Sequence, residues 1–160
     1  MNSNGNPSSR EPASILLADD DLGVRETLGR VLESEGYRVL LAKTGREAVT
    51  QCRLNPPDLV LLDLNMPVMD GWAAFRMMSQ TDPMRPVVVI TARHNQYAQA
   101  EQLGADALME KPLNLTLLLE TIRKLVQETD VERTQRLTNP GFKTKFLYQI
   151  DEAPAGKNQA

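Results

Sequence analysis

The chain is 160 residues long, 41% apolar, with a formal net charge of -3. That is enough apolar content for one ordinary domain plus some tail, and the wrong sign for a broad nucleic-acid surface. One cysteine and one histidine exclude an internal disulfide and a thiolate or multi-histidine zinc centre.

The opening segment, residues 1–12, is rich in Asn, Ser, Gly and Pro and is expected to be disordered. It lacks the apolar centre of a signal peptide, and no later run approaches the roughly 18 apolar residues of a membrane span. A cytoplasmic protein with no membrane contact and no direct DNA binding is the expectation. From Ser14 a βα alternation begins. Ser14–Ala18 reads as a buried strand, followed by Val24, Leu28, Val31 and Leu32 at helical spacing and a stop at Gly36. Tyr37–Ala42 is strand-like, and Thr44-Gly45-Arg46-Glu47 is a capping-box pattern opening a helix that Asn55-Pro56-Pro57 ends. Cys52 falls inside that helix, where it reads as a small buried hydrophobe. Asp58–Asp63 is nearly all aliphatic, as a strand covered on both faces should be. A loop over Asn65–Gly71 and a helix over Trp72–Gln80 follow, then a strand over Pro86–Thr91, a short helix over Tyr97–Leu103 stopped by Gly104, and a strand over Ala107–Glu110. Asn114 caps a last helix with Leu115, Leu118, Leu119, Ile122 and Leu125 on one side.

Five strands alternating with five helices predict an α/β domain over residues 13–127, with a doubly wound five-stranded parallel sheet. The tail, 128–160, shows no such alternation. Being shorter than the roughly 40 residues an unstapled domain needs, it is not expected to form a second, output domain. Phe142, Phe146, Leu147, Tyr148 and Ile150 are too apolar for an idle linker. They point either to packing on the domain's own surface or to a docking segment for a partner.

Polar groups stand where the apolar strands stop: Asp19-Asp20 after ILLA, Asp63 after LVLL, Thr91 after VVVI and Lys111-Pro112 after ALME. Ligands of open parallel sheets bind beyond the carboxyl ends of the strands. In the strand order 2-1-3-4-5, which the family resemblance given below implies, the first and third strands are neighbours, so Asp19, Asp20 and Asp63 converge. Like charges that close raise one another's pKa, and a hard divalent cation relieves the repulsion. Magnesium suits carboxylates, carbonyls and phosphate oxygens, and Mn2+ is an alternative. Lys111 is placed to reach Asp63 and then a phosphoryl oxygen. As an exposed loop lysine it is expected to matter little for stability. Asp21 is either a further water-mediated group or helix N-terminal charge, Arg93 is placed to overhang the site, and His94 reads as a solvated loop residue.

The acidic run in ILLADDD, the block LVLLDLNMPVMDG, VVVITA and GADALMEKP, in that order, resemble the receiver domain of two-component response regulators, the flavodoxin-like (βα)5 fold of the chemotaxis regulator. The resemblance runs from about Ser14 to Gln127. It implies that Asp63 is the phosphoacceptor, that Asp20, Asp63 and the backbone carbonyl of Asn65 ligate Mg2+, and that Asp19 acts mostly through bound water. It makes Thr91 the switch hydroxyl, Lys111 the phosphoryl-binding ammonium and Lys111–Pro112 a cis peptide. It further implies a stand-alone receiver that takes its phosphoryl group from the phosphohistidine of a sensor kinase or histidine phosphotransfer protein and signals through protein–protein contacts. Output would pass through the fourth helix, fifth strand and fifth helix. One departure is Leu108, where the family often places an aromatic ring. Two other classes fit less well. A haloacid-dehalogenase-type phosphohydrolase needs a second Asp two residues after the nucleophile, where this chain has Asn65. A flavin or nucleotide module wants a Gly/Ser/Thr-rich phosphate loop after the first strand, where this chain has ADDDLG.

Overall fold

The computed structural model describes residues 10–148. Most of the expected disordered N-terminal segment, and Ile150 of the apolar tail, lie outside that range. The alternation runs β1 (Ser14–Ala18), α1 (Leu22–Ser34), β2 (Arg38–Ala42), α2 (Gly45–Leu54), β3 (Leu59–Asp63), α3 (Gly71–Thr81), β4 (Val87–Thr91), α4 (Tyr97–Leu103), β5 (Ala107–Glu110) and α5 (Leu115–Gln127). Side chains that alternate along each strand feed two cores. Leu16, Val60, Leu62, Val89 and Leu108 face α2, α3 and α4, where Cys52, Trp72, Phe75 and Ala100 pack. Ile15, Leu17, Leu61, Ile90 and Met109 face α1 and α5, meeting Leu28, Leu32, Leu118 and Ile122. A sheet covered on both faces explains why β1, β3 and β4 are buried at every position.

Local chemistry fixes the ends. Asp21 Oδ1 accepts the Val24 amide at 3.0 Å, so Asp21 is the cap of α1. Thr44 accepts the Glu47 amide at 3.0 Å while Glu47 reaches back to the Lys43 amide at 2.9 Å. Asn114 caps α5 by accepting the Leu117 amide at 3.1 Å.

The expected five-stranded sheet is a six-stranded one, in the order β2-β1-β3-β4-β5-β6, with every pairing parallel. The added strand, β6 (Lys145–Leu147), and a helix, α6 (Asp130–Thr138), come from the tail expected to lack organisation. Charge, more than apolar periodicity, holds α6 in place. The buried Asp106 carboxylate accepts two bonds from Arg133 at 2.8 and 3.2 Å, one from Arg136 at 2.8 Å and the Val87 amide at 2.8 Å. Arg136 also donates to Glu128 at 2.6 Å, a bond that holds Glu128 below the usual carboxylate range.

Removing one partner of a buried pair leaves an uncompensated charge. Arg133→Ala is therefore expected to destabilise the protein by about 3 kcal/mol, read from urea unfolding. A loss within about 0.5 kcal/mol, as for an ordinary surface change, would show that the network is not what anchors α6.

Candidate functional site

Parallel register brings four strand ends to one edge of the sheet. Ala18 pairs with Leu62, Asp63 with Ile90, and Thr91 with Glu110. The residues following β1 and β5 therefore stand level with the last residues of β3 and β4. Carboxylate oxygens of Asp19, Asp20 and Asp63 all lie within 4.8 Å of one another. Asp19 and Asp63 are buried and Asp20 is exposed. The Lys111 ammonium lies between the two buried carboxylates, 2.8 Å from Asp19 Oδ2 and 3.8 Å from Asp63 Oδ2.

Two expectations about Lys111 change. Its closer partner is Asp19, whose other oxygen is already fixed by the Asp21 amide at 2.9 Å, so this carboxylate is the better-held of the two. Nor is Lys111 a bystander to stability. Its side chain is 22% exposed and pairs with a carboxylate that is 0% exposed, so its loss strands a buried charge.

Burial raises the Asp63 pKa from 3.8 to about 6, with the Asp19 charge adding to the rise and Lys111 opposing it. Burial works to lower the Lys111 pKa, but the Asp19 hydrogen bond and the charges of Asp63 and Asp19 outweigh it and leave it raised. Among the described residues, Lys111 is the one cation paired with these carboxylates.

The loop from Asp63 to Gly71 is held close against the strand end. A Cβ on Gly71 would stand 2.5 Å from the Asp63 carbonyl oxygen, so only glycine fits where α3 leaves the loop. Val68 takes a left-handed φ of 70°. The Asn65 amide donates to Asp63 Oδ1 at 3.3 Å. Arg93 crosses the opening as expected. Its Nε donates to Asn65 Oδ1, and its guanidinium lies 3.6 Å from Asp70. The Thr91 hydroxyl is buried and accepts the Arg93 amide at 2.9 Å. Lys111–Pro112 is a cis peptide. His94 is exposed, 3.2 Å from Glu110, and Cys52 is buried with its thiol pushed up by that burial. Two contacts carried no sequence signal: Arg25 donates to the Asp19 carbonyl at 2.7 Å, and Trp72 Nε1 donates to Gln96 at 2.9 Å. The second joins residues 24 apart in the chain, and the first runs from a helix side chain to a backbone carbonyl, which side-chain pattern does not register.

Oxygen donors in this number suit a hard divalent cation such as Mg2+, which would offset both the burial and the neighbouring Asp19 charge that raise the Asp63 pKa. A doubly wound sheet with an acidic pocket at its switch-point edge defines the class of protein. Residues 15–123 match the response regulator receiver domain family, and the chain belongs to that family. It is 41% identical over 120 residues to the response regulator MprA of Mycolicibacterium vanbaalenii, an alignment covering 74% of this chain and 52% of that protein. The chain thus spans about half the length of the curated relatives it matches. Among solved structures it is similar to a CheY-like receiver domain protein of Methanospirillum hungatei, with 28% identity, a TM-score of 0.69, and coverage of 78% of this chain and 98% of that one. It is also similar to the response regulator TrrA of Thermotoga maritima in complex with Mg2+-BeF, with 29% identity, a TM-score of 0.66, and coverage of 71% and 98%. No helix among the described residues is long and apolar enough to cross a membrane.

An Asp with a folded pKa above its unfolded value binds its proton more tightly when folded, so the metal-free protein loses stability as pH rises from about 4 to about 6. The loss from this group is on the order of 2–3 kcal/mol. Metal-free Asp63→Asn should therefore be more stable than wild type at pH 7.5 and no more stable at pH 4, in urea unfolding. A variant destabilised equally at both would contradict the charge assignment.

Proposed function

We propose that Asp63 accepts a phosphoryl group from the phosphohistidine of a sensor kinase or histidine phosphotransfer protein. In this reading Asp19, Asp20, Asp63 and the Asn65 carbonyl hold Mg2+, or Mn2+ in its place. The observation that carries it is the buried Asp63 carboxylate facing an ammonium 3.8 Å away within a cluster of acidic oxygens. A carboxylate oxygen of Asp63 attacks phosphorus, the phosphorus–nitrogen bond breaks, a phosphorus–oxygen bond forms, and the departing imidazole nitrogen takes up a proton. Such a transfer asks the protein mainly for positioning and charge neutralisation. The cation supplies part of that neutralisation when bound. Lys111 supplies the rest, exchanging some of its hold on Asp19 for a phosphoryl oxygen. The Thr91 hydroxyl gains an acceptor in the same group. Contacts that exist in only one state are what bias a two-state switch. Water later cleaves the acyl phosphate and resets the domain, which acts as a phosphoacceptor switch rather than a turnover enzyme, with self-catalysed phosphorylation and dephosphorylation. Output passes to other proteins by surface contact.

Incubation with a small acyl phosphate and Mg2+ should label the protein with one phosphoryl group. Asp63→Asn or excess chelator should abolish the labelling, and a label that survives either would refute the assignment. For Lys111→Ala, labelling should slow by about tenfold or more, a barrier increase of about 1.4 kcal/mol. The metal-free variant should unfold at lower urea, with a loss smaller than the roughly 3–5 kcal/mol of a fully buried pair, since the Lys111 side chain is 22% exposed. Lys111→Arg should recover the stability better than the rate, since a planar fork does not replace a point charge on a flexible stem. Wild-type labelling in both variants would remove Lys111 from the reaction.

A further inference from the structure

The two tail elements are held very differently. At the opposite end of the sheet from the acidic pocket, α6 is pinned by the buried Asp106–Arg133 pair and by Arg136 bridging Asp106 and Glu128. The strand β6 has three residues, and its hold on β5 is modest. Beyond the ladder itself, the Lys145 amide donates to the Asp106 carbonyl at 3.0 Å, the Thr144 hydroxyl donates to the Ala105 carbonyl at 2.7 Å, and Leu147 enters the core beside α5. On the α4 side, the Phe146 ring packs on Tyr97 at 5.7 Å and on Tyr148 at 5.5 Å between centroids. Phe146 and Tyr148 remain 36% and 60% exposed.

Both supports of that aromatic stack lead to the acidic pocket. Tyr97 opens α4, a seven-residue helix whose N-cap, Gln96, makes no side-chain cap bond, and the loop before it begins at Thr91. On the other side, Phe146, Leu147 and Tyr148 share a cavity of about 210 Å³ with Lys111 and Pro112. The Lys111 amide also donates to the Thr91 carbonyl at 2.7 Å, tying the two routes together. Leu108 of β5 has Phe146 as its register partner, so the Phe146 ring stands beside β5 on the α4 side of the sheet.

We propose that β6 is a strap whose grip on β5 is set by the state of Asp63: closed while Asp63 is free, released when it carries its phosphoryl group. The inference rests on the function proposed above. A phosphoryl group that draws Lys111 off Asp19 and turns Thr91 away from the Arg93 amide shifts the two loops on which Phe146 leans. A three-residue edge strand opens at little cost. The anchored α6 keeps the opened strap tethered, so it recloses when the group is lost.

The test uses the full chain, with Mg2+ and beryllofluoride as the probe. Amide exchange at residues 145–147 should accelerate by about tenfold or more on beryllofluoride binding, with α6 amides unchanged. Coupling is reciprocal, so loosening the strap must favour the liganded state. Phe146→Ala, and independently Lys145→Pro, which deletes the amide that bonds the Asp106 carbonyl, should each bind beryllofluoride about fivefold tighter than wild type. Neither residue is among those proposed to hold the cation or the phosphoryl group, so a purely structural role for β6 leaves that affinity unmoved. Unchanged or slowed exchange in β6 with beryllofluoride bound, or wild-type affinity in both variants, overturns the strap alone. Failure of the wild-type protein to bind beryllofluoride overturns the Asp63 reading, and the strap with it.

Discussion

Burial of two carboxylates beside one ammonium is the constraint on which the rest of this structure depends. Asp19 and Asp63 are 0% and 2% exposed, and the Lys111 ammonium is shared between them at 2.8 and 3.8 Å. One positive charge cannot satisfy both buried carboxylates and the exposed Asp20 as well. Desolvation makes the deficit costly, and the raised Asp63 pKa records it. A group of positive charge, or a change in how Lys111 is shared, relieves the same strain. The pocket is responsive because it is left incompletely neutralised.

The two ends of the sheet make the contrast plain. Around Asp106, two carboxylates face two guanidiniums, each engaged by short bonds. This balanced cluster fastens α6 and has no charge deficit for a ligand to fill. Around Asp63 the balance is three to one. The same fold thus carries one ionic cluster that closes the structure and one that is open to chemistry, joined by the short strands β4 and β5. The loops over the open end are built for close approach. Gly71 admits the backbone of α3 against Asp63, and Arg93 ties the loop after β4 to the loop after β3.

Much of this was legible in the sequence, for physical reasons that also explain what was not. The strands Ser14–Ala18 and Ala107–Glu110 and the helix Tyr97–Leu103 have the predicted limits, because apolar runs bounded by charge or glycine leave little choice. Three other strands begin one residue later than the pattern suggested. Tyr37, for one, still donates its amide to Leu32 at the end of α1. The convergence of Asp19, Asp20 and Asp63 follows from parallel register and from a strand order that the family resemblance, not the residue pattern, supplied. What the pattern hid was α6, because its buried face is carried by Arg133 and Arg136, which apolar periodicity counts as surface. The local clue was there: Thr129 and Glu132 form a reciprocal capping box. The strand β6 was hidden by its length, since three residues carry almost no period. The partial burial of Lys111 was missed because exposure cannot be read from a loop position when its partner, Asp19, is 92 residues away.

In the proposed site one buried carboxylate, Asp63, carries both the excess proton affinity and part of the hold on the cation. Calorimetric titration with Mg2+ at pH 6, repeated in two buffers of different ionisation enthalpy, measures the protons released per cation bound. With an Asp63 pKa of about 6, about half a proton should be released at pH 6 and almost none at pH 8. In Asp63→Asn the release should vanish and the affinity should fall. Magnesium binding that releases no protons at pH 6 and is unaffected by Asp63→Asn would contradict the account.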